Sequence, residues 1–179
     1  GGNVDFETRS LMPTNVAARM TLAADPDSLQ GAVAAGILGA GKVVLGTSEE
    51  CARLLDDARR RGRDPGDIAR EIRAAGGKIP GFGHRWHGID PRAVRLLQLV
   101  REAQARGEVG GRYGRIAEGV ERVLQARKGT RIPMNIDGAT AVIYSELGFA
   151  APLGRGLFIL SRSVGILAHA WEQTQQGGR

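Results

Sequence analysis

Apolar residues recur at helical spacing along nearly the whole chain, and Gly, Pro and Asp break the pattern into segments. Val16, Ala17, Met20 and Leu22 predict a short helix over Pro13–Ala24. Asp25-Pro26-Asp27-Ser28 is a start signal for the next, which carries Leu29, Val33, Ile37 and Leu38 among many Ala and Gly. A helix of small residues that is apolar almost all round belongs inside a bundle or at a helix–helix interface. Thr47 and Glu50 have capping-box spacing, and the helix they open turns Cys51, Ala52, Leu54, Leu55 and Ala58 inward before the basic tail Arg59-Arg60-Arg61.

Asp64-Pro65 opens a further helix with Ile68 and Ile72, closed by Gly76-Gly77. Asp90-Pro91 opens another, to about Arg106, with Val94, Leu96, Leu97 and Val100 facing in. After a linker over 107–111, Ile116, Val120, Val123 and Leu124 mark the next. A loop over 132–138 precedes a helix over 139–147, a turn over 152–156 and a last helix over 157–175. No stretch alternates as a strand does, and no repeat has a fixed period. The expected class is all-α.

Composition narrows the partners. At 179 residues the chain suits one domain, or one domain and a small lobe. Of its 25 basic residues 22 are arginine, and the net charge is +6. The arginines are interleaved with acids along the helices and form no single stripe, so a nucleic-acid partner is not expected. Arginine favours planar carboxylates and phosphates, and a few of these are expected to hold an anionic small molecule. The single cysteine, Cys51, excludes an internal disulfide, fits a reducing compartment such as the cytoplasm, and reads as a small buried hydrophobe. The most apolar runs, 31–46 and 156–171, are short and interrupted by Lys42 and Arg162, so no membrane span is expected. Residues 1–13 lack periodicity and start Gly-Gly without a methionine, as a leader or a replaced start would.

The candidate chemistry gathers in Lys78-Ile79-Pro80-Gly81-Phe82-Gly83-His84-Arg85, which runs on to Asp90-Pro91-Arg92. Glycines here allow sharp turns and close approach of a ligand. A histidine on such a loop beside fixed cations suits acid–base work on an anion; a surface loop explains the same residues about equally well. Asp137 stands where a helix begins, a place that favours its charged form, and an ordinary N-cap is the simpler reading. Arg162 lies amid Phe158, Ile159, Leu160, Val164 and Ile166, where burial calls for an anionic partner. His169 and Glu172 share a helix face and can pair, and no third ligand for a metal accompanies them.

In combination, Ile79-Pro-Gly-Phe-Gly-His84-Arg, Asp90-Pro-Arg92, Asn135-Ile-Asp137 and Leu157-Phe-Ile-Leu-Ser-Arg162-Ser-Val-Gly-Ile-Leu-Ala-His169 resemble the citrate synthase superfamily over residues 14–179. The citryl-CoA lyase branch, which includes the lyase portion of ATP-citrate lyase, is the closer resemblance: Asn135 to Gly138 matches its Asn-x-Asp-Gly, and Leu45 stands where synthases carry a histidine. The family chain also extends further at its N-terminus, so this one is expected to be truncated.

That resemblance implies the citrate synthase fold, with residues 1–46 a remnant of the large domain, 47–136 the small domain and 137–179 the C-terminal part of the large one. It implies cleavage of citryl-CoA to acetyl-CoA and oxaloacetate, with His84 and Asp137 catalytic. Arg92, Arg162 and Arg179 would bind substrate carboxylates. Pro80, Gly81, Phe82, Gly83 and Arg85 would bind coenzyme A, present as the substrate thioester, with no metal. A homodimer or higher homo-oligomer is expected. The alternatives are a citrate or 2-methylcitrate synthase, and a noncatalytic truncated member that keeps the helices for association.

Overall fold

The computed structural model describes residues 12–83, 88–128 and 132–176. It is all-α: α1 (Pro13–Ala24), α2 (Leu29–Leu38), α3 (Lys42–Leu45), α4 (Thr47–Arg61), α5 (Pro65–Ala74), α6 (Pro91–Ala105), α7 (Arg112–Lys128), α8 (Ile136–Glu146) and α9 (Ala151–Gln176). These fall into two compact units, one of Gly1–Leu45 with Gly156–Arg179, the other of Gly46–Arg155. The second unit runs on to Arg155, since α8 packs on α4, α6 and α7 within it.

In the first unit α1 packs on α2. Gly36 permits the close approach: a Cβ there would come within 2.5 Å of Ile166 Cγ2 and 2.9 Å of the Thr14 carbonyl oxygen. Leu22, Ala32 and Ala170 form its small core. Arg19 of α1 reaches α9, where it pairs with Glu172 and donates to Gln173 Oε1 at 2.8 Å. His169 is buried with its Nδ1 3.3 Å from Glu172 Oε2, the pairing expected from their spacing.

The second unit has two adjoining cores. One gathers Cys51, Leu55, Val100, Ala117, Met134 and Val142; the other Ala69, Ile79, Val120 and Leu124, and Phe82 packs against both. Local start signals hold where the side chain finds its own N–H groups: Asp64 Oδ1 accepts from Gly66 N at 2.8 Å and Asp67 N at 3.1 Å. The Thr47–Glu50 capping box does not form. Gly46 is the N-cap and makes no side-chain bond, because the turn of α3 runs almost directly into α4.

Three further expectations need correction. Pro152 does not break the chain: α9 starts at Ala151, which puts Pro152 in the first turn, where no amide hydrogen is required. Val94 is 50% exposed, so the inward face of α6 is Ala93, Leu96, Leu97 and Val100. Arg162 is half-buried, and its neighbours Leu160 and Val164 are exposed, so it does not sit in the apolar interior that its sequence surroundings implied.

Candidate active site

The site is built where an extended loop crosses the start of a helix. Residues 81–83 pair with 133–135 through an isolated antiparallel bridge, Phe82 to Met134. Gly83 N donates to the Pro133 carbonyl at 2.8 Å and Asn135 N donates to the Gly81 carbonyl at 3.0 Å. The loop takes this path because Gly81 and Gly83 adopt φ of 84° and 83°, a region costly for any residue with a Cβ.

Space makes the same demand. A Cβ on Gly81 would lie 2.6 Å from Cys51 Sγ and 2.8 Å from Gly138 Cα, while one on Gly138 would lie 2.3 Å from the Gly81 carbonyl oxygen. Two backbones therefore touch here, with the Cys51 thiol against Gly81.

Asn135 ties loop to helix with both ends of its amide. Its Nδ2 donates to the Gly83 carbonyl at 2.8 Å, and its Oδ1 accepts from Asp137 N at 3.0 Å and Gly138 N at 3.1 Å. Asn135, not Asp137, is the N-cap of α8. Asp137 is the second residue of the helix, two positions after the cap, and is half-buried.

Asp90 was read from sequence only as the cap of α6, and it does more. Its fully buried carboxylate accepts from Arg92 N (3.1 Å), Arg92 Nε (3.0 Å), Arg92 Nη2 (3.0 Å) and, across 46 residues, Ile136 N (3.1 Å). One carboxylate thus holds the Arg92 guanidinium as a bidentate pair and anchors the residue before Asp137. Burial works to raise the carboxyl pKa, but the guanidinium and the two backbone N–H groups outweigh it and hold Asp90 below the usual range. The signal that could have revealed this is weak: an acid two residues before an arginine predicts a local pair, not a link to α8.

Of the expected site residues, Pro80, Gly81, Phe82, Gly83, Arg92 and Asp137 belong to this unit, and Asp90 links the Arg92 and Asp137 segments. Arg162 lies on the part of α9 assigned to the other unit. His84, Arg85 and Arg179 lie outside the described residues. A groove of about 380 Å³ between α6 and α7 is floored by Pro133 and Met134, but its lining includes neither Asp137 nor the glycine loop. Among the described residues no three His, Cys, Asp or Glu side chains converge as a metal site would.

A glycine loop locked to a capped helix start matches the motifs singled out in the sequence, and comparison with known proteins identifies the family. The family model described as the C-terminal domain of citrate synthase matches residues 13–179. The chain belongs to the citrate synthase family.

Citryl-CoA lyase from Hydrogenobacter thermophilus is a solved structure similar to it, with 35% identity and a TM-score of 0.83 over 92% of this chain and 63% of that one. ATP citrate lyase from Methanothrix soehngenii, solved in complex with citrate and coenzyme A, gives a TM-score of 0.77 over 95% of this chain and 29% of that one; at 24% identity that likeness shows the fold. The citrate synthase of Acidithiobacillus ferridurans is 39% identical over 99 residues, which are 54% of this chain and 26% of that protein. Against the first curated relatives the chain spans about a quarter to a third of their length.

Proposed function

We propose that the protein cleaves citryl-CoA to acetyl-CoA and oxaloacetate. The observation that carries this reading is the likeness to citryl-CoA lyase, at 35% identity across 92% of the chain. Leu45 supports it. Condensation begins by creating the acetyl-CoA enolate, which calls for a donor aimed at the thioester oxygen, and leucine has none to give. Cleavage passes through the same enolate, so Leu45 bears on substrate preference and commitment and not on the equilibrium.

His84 takes the proton of the tertiary hydroxyl, the carbon–carbon bond breaks, and the hydroxyl carbon becomes the keto carbon of oxaloacetate. The bonding pair passes to the thioester as its enolate, and the carboxylic acid of Asp137 protonates the enolate carbon to give acetyl-CoA. Proton return from His84 to Asp137 through solvent closes the cycle, so nothing is oxidised or reduced. Arg92, Arg162 and Arg179 bind the substrate carboxylates. Arg85 meets the phosphates of coenzyme A, and the backbone of Pro80, Gly81, Phe82 and Gly83 lies along the cofactor. This chemistry calls for no metal.

The domain reading follows the same proposal, with residues 47–136 as the small domain and 1–46 and 137–179 as parts of the large one. A homodimer is proposed because α9 carries an exposed apolar stripe, Leu160 (66% exposed), Val164 (70%), Leu167 and Trp171 (57%), at a spacing of 4, 3 and 4 that a second helix can cover. No described helix is long and apolar enough to cross a membrane. A cytoplasmic location is proposed from the single reduced cysteine and the coenzyme A substrate.

The second reading is citrate or 2-methylcitrate synthase, favoured by the 39% identity to a citrate synthase over 99 residues. Supplying citryl-CoA and following oxaloacetate by its reduction with NADH separates the two. Faster release of oxaloacetate from citryl-CoA than citrate formation from acetyl-CoA and oxaloacetate supports the lyase. Ready synthesis with citryl-CoA left intact refutes it, and turnover in neither direction leaves the noncatalytic reading.

A further inference from the structure

The thiol of Cys51 is used neither by the proposed chemistry nor as a surface group, yet it lies at the most crowded point of the site. It is fully buried on α4, and the closest groups around the position of a Gly81 Cβ are Cys51 Sγ at 2.6 Å and Gly138 Cα at 2.8 Å. The Gly81 loop therefore lies against both the thiol and the helix start. From the other directions the first turn of α8 is held by hydrogen bonds: Asp90 Oδ2 on Ile136 N, and Asn135 Oδ1 on Asp137 N and Gly138 N. Those bonds fix the orientation of the turn. Packing fixes its height: Gly138 lies against the Gly81 carbonyl and Met134 Cγ, and Gly81 in turn lies against Cys51 Sγ.

We propose that Cys51 is a positioning residue for Asp137, its side chain being the seat on which the Gly81–Gly138 crossing rests; this builds on the acid role proposed above for Asp137. The seat must be of one size. A larger side chain lifts Gly81 and Gly138 together, since neither has side-chain atoms that can give way. A smaller one leaves a gap into which they settle. The thiol is also inert in this place: burial, and secondarily the charge of Asp137, push it up to about 12, so it remains a neutral S–H at physiological pH.

The test is steady-state kinetics with citryl-CoA on the intact protein, comparing the parent with Cys51→Val, Cys51→Ala and Cys51→Ser, together with thermal melting of each. Valine places a branched carbon against the crossing and is expected to lower kcat per folded molecule about 10²-fold with KM for the thioester within about threefold, as a misplacement near 1 Å does. Serine, nearly the same shape, is expected to restore kcat to within about threefold of the parent, as a residue that acts by its size should. A purely structural role would lower the melting temperature and leave kcat per folded molecule unchanged, and that result overturns the proposal. So does an equal loss of kcat in the serine variant, or a rise in KM at constant kcat.

If the valine variant does not fold, the alanine variant decides: reduced kcat at unchanged KM supports the seat, and parental kcat refutes it. Asp137→Asn is run in parallel. Should it keep full activity, the chemical role of Asp137 falls, and the seat is judged separately by the amide resonances of Asp137 and Gly138. Movement of those resonances in the valine or alanine variant but not in serine upholds it; their staying in place overturns it.

Discussion

Replacing Asp90 by alanine tests how much of the site one carboxylate holds together. The loss has three parts. The N-cap of α6 disappears, typically worth about 1 kcal/mol. Ile136 N–H loses its acceptor at 3.1 Å, and an orphaned backbone donor away from water costs roughly 1–3 kcal/mol. Arg92 loses a bidentate partner, but its side chain is 39% exposed and rehydrates, so that part stays below about 1 kcal/mol. The three overlap, and the expected loss is about 2–4 kcal/mol, a large share of the roughly 5–15 kcal/mol that keeps a domain folded.

Urea unfolding followed by circular dichroism reads this as a midpoint lower by about 1–2 M, given a slope of roughly 2 kcal/mol per molar. The pH dependence has a definite sign. The Asp90 carboxyl is held below its ordinary value in the folded protein, so its contribution is fully present above the unfolded value of about 3.9 and is lost as pH falls through the lower folded value. The gap in stability between parent and Asp90→Ala must therefore be constant near neutrality and narrow below about pH 4. A midpoint unchanged within error, or a gap that widens on acidification, would refute the account of Asp90 as the tie between α6 and α8.

Gly81→Ala meets both a φ of 84° and the Cys51 and Gly138 contacts, so it should cost about 2–5 kcal/mol and abolish turnover of citryl-CoA, measured by unfolding and by oxaloacetate release. Glu146→Ala removes the acceptor for Gly111 N, Tyr113 N and Gly114 N at 2.9, 2.7 and 3.2 Å; the start of α7 should loosen, with a loss of about 1–3 kcal/mol and faster amide exchange at those three positions. Val164→Asp should shift the protein towards monomer in sedimentation without lowering its helical signal; an unchanged dimer would place the interface elsewhere, and a parent that is already monomeric at micromolar concentration would refute the dimer.

What the sequence shows and hides follows from the range of the forces involved. Asp64-Pro65 and Asp90-Pro91 are legible as helix starts because cap and donors lie within three residues of one another. Cys51 is legible as buried because its helix carries a clear apolar face. Asn135 and Asp137 are both good caps two residues apart, and local chemistry does not choose between them. The choice coincides with a bond from Asn135 N to Gly81, a residue 54 positions earlier. Glu146 is likewise invisible as a cap, since it serves a helix that begins more than thirty residues before it. The link from Asp90 to Ile136 has the same character, and it is this link that turns separate motifs into one site.

The contact between Gly81 and Gly138 has a consequence for how such a site can change over generations. Each glycine is the other's wall: a methyl group at either position meets the backbone of its partner at under 3 Å, so no substitution at one can be rescued by trimming the other, which has nothing left to trim. Neutral drift, which normally moves through pairs of compensating side chains, has no foothold here. Any route to a different residue must first move a whole loop, breaking the Asn135 and Gly83 hydrogen bonds at the same time. The two positions therefore pass down together or not at all.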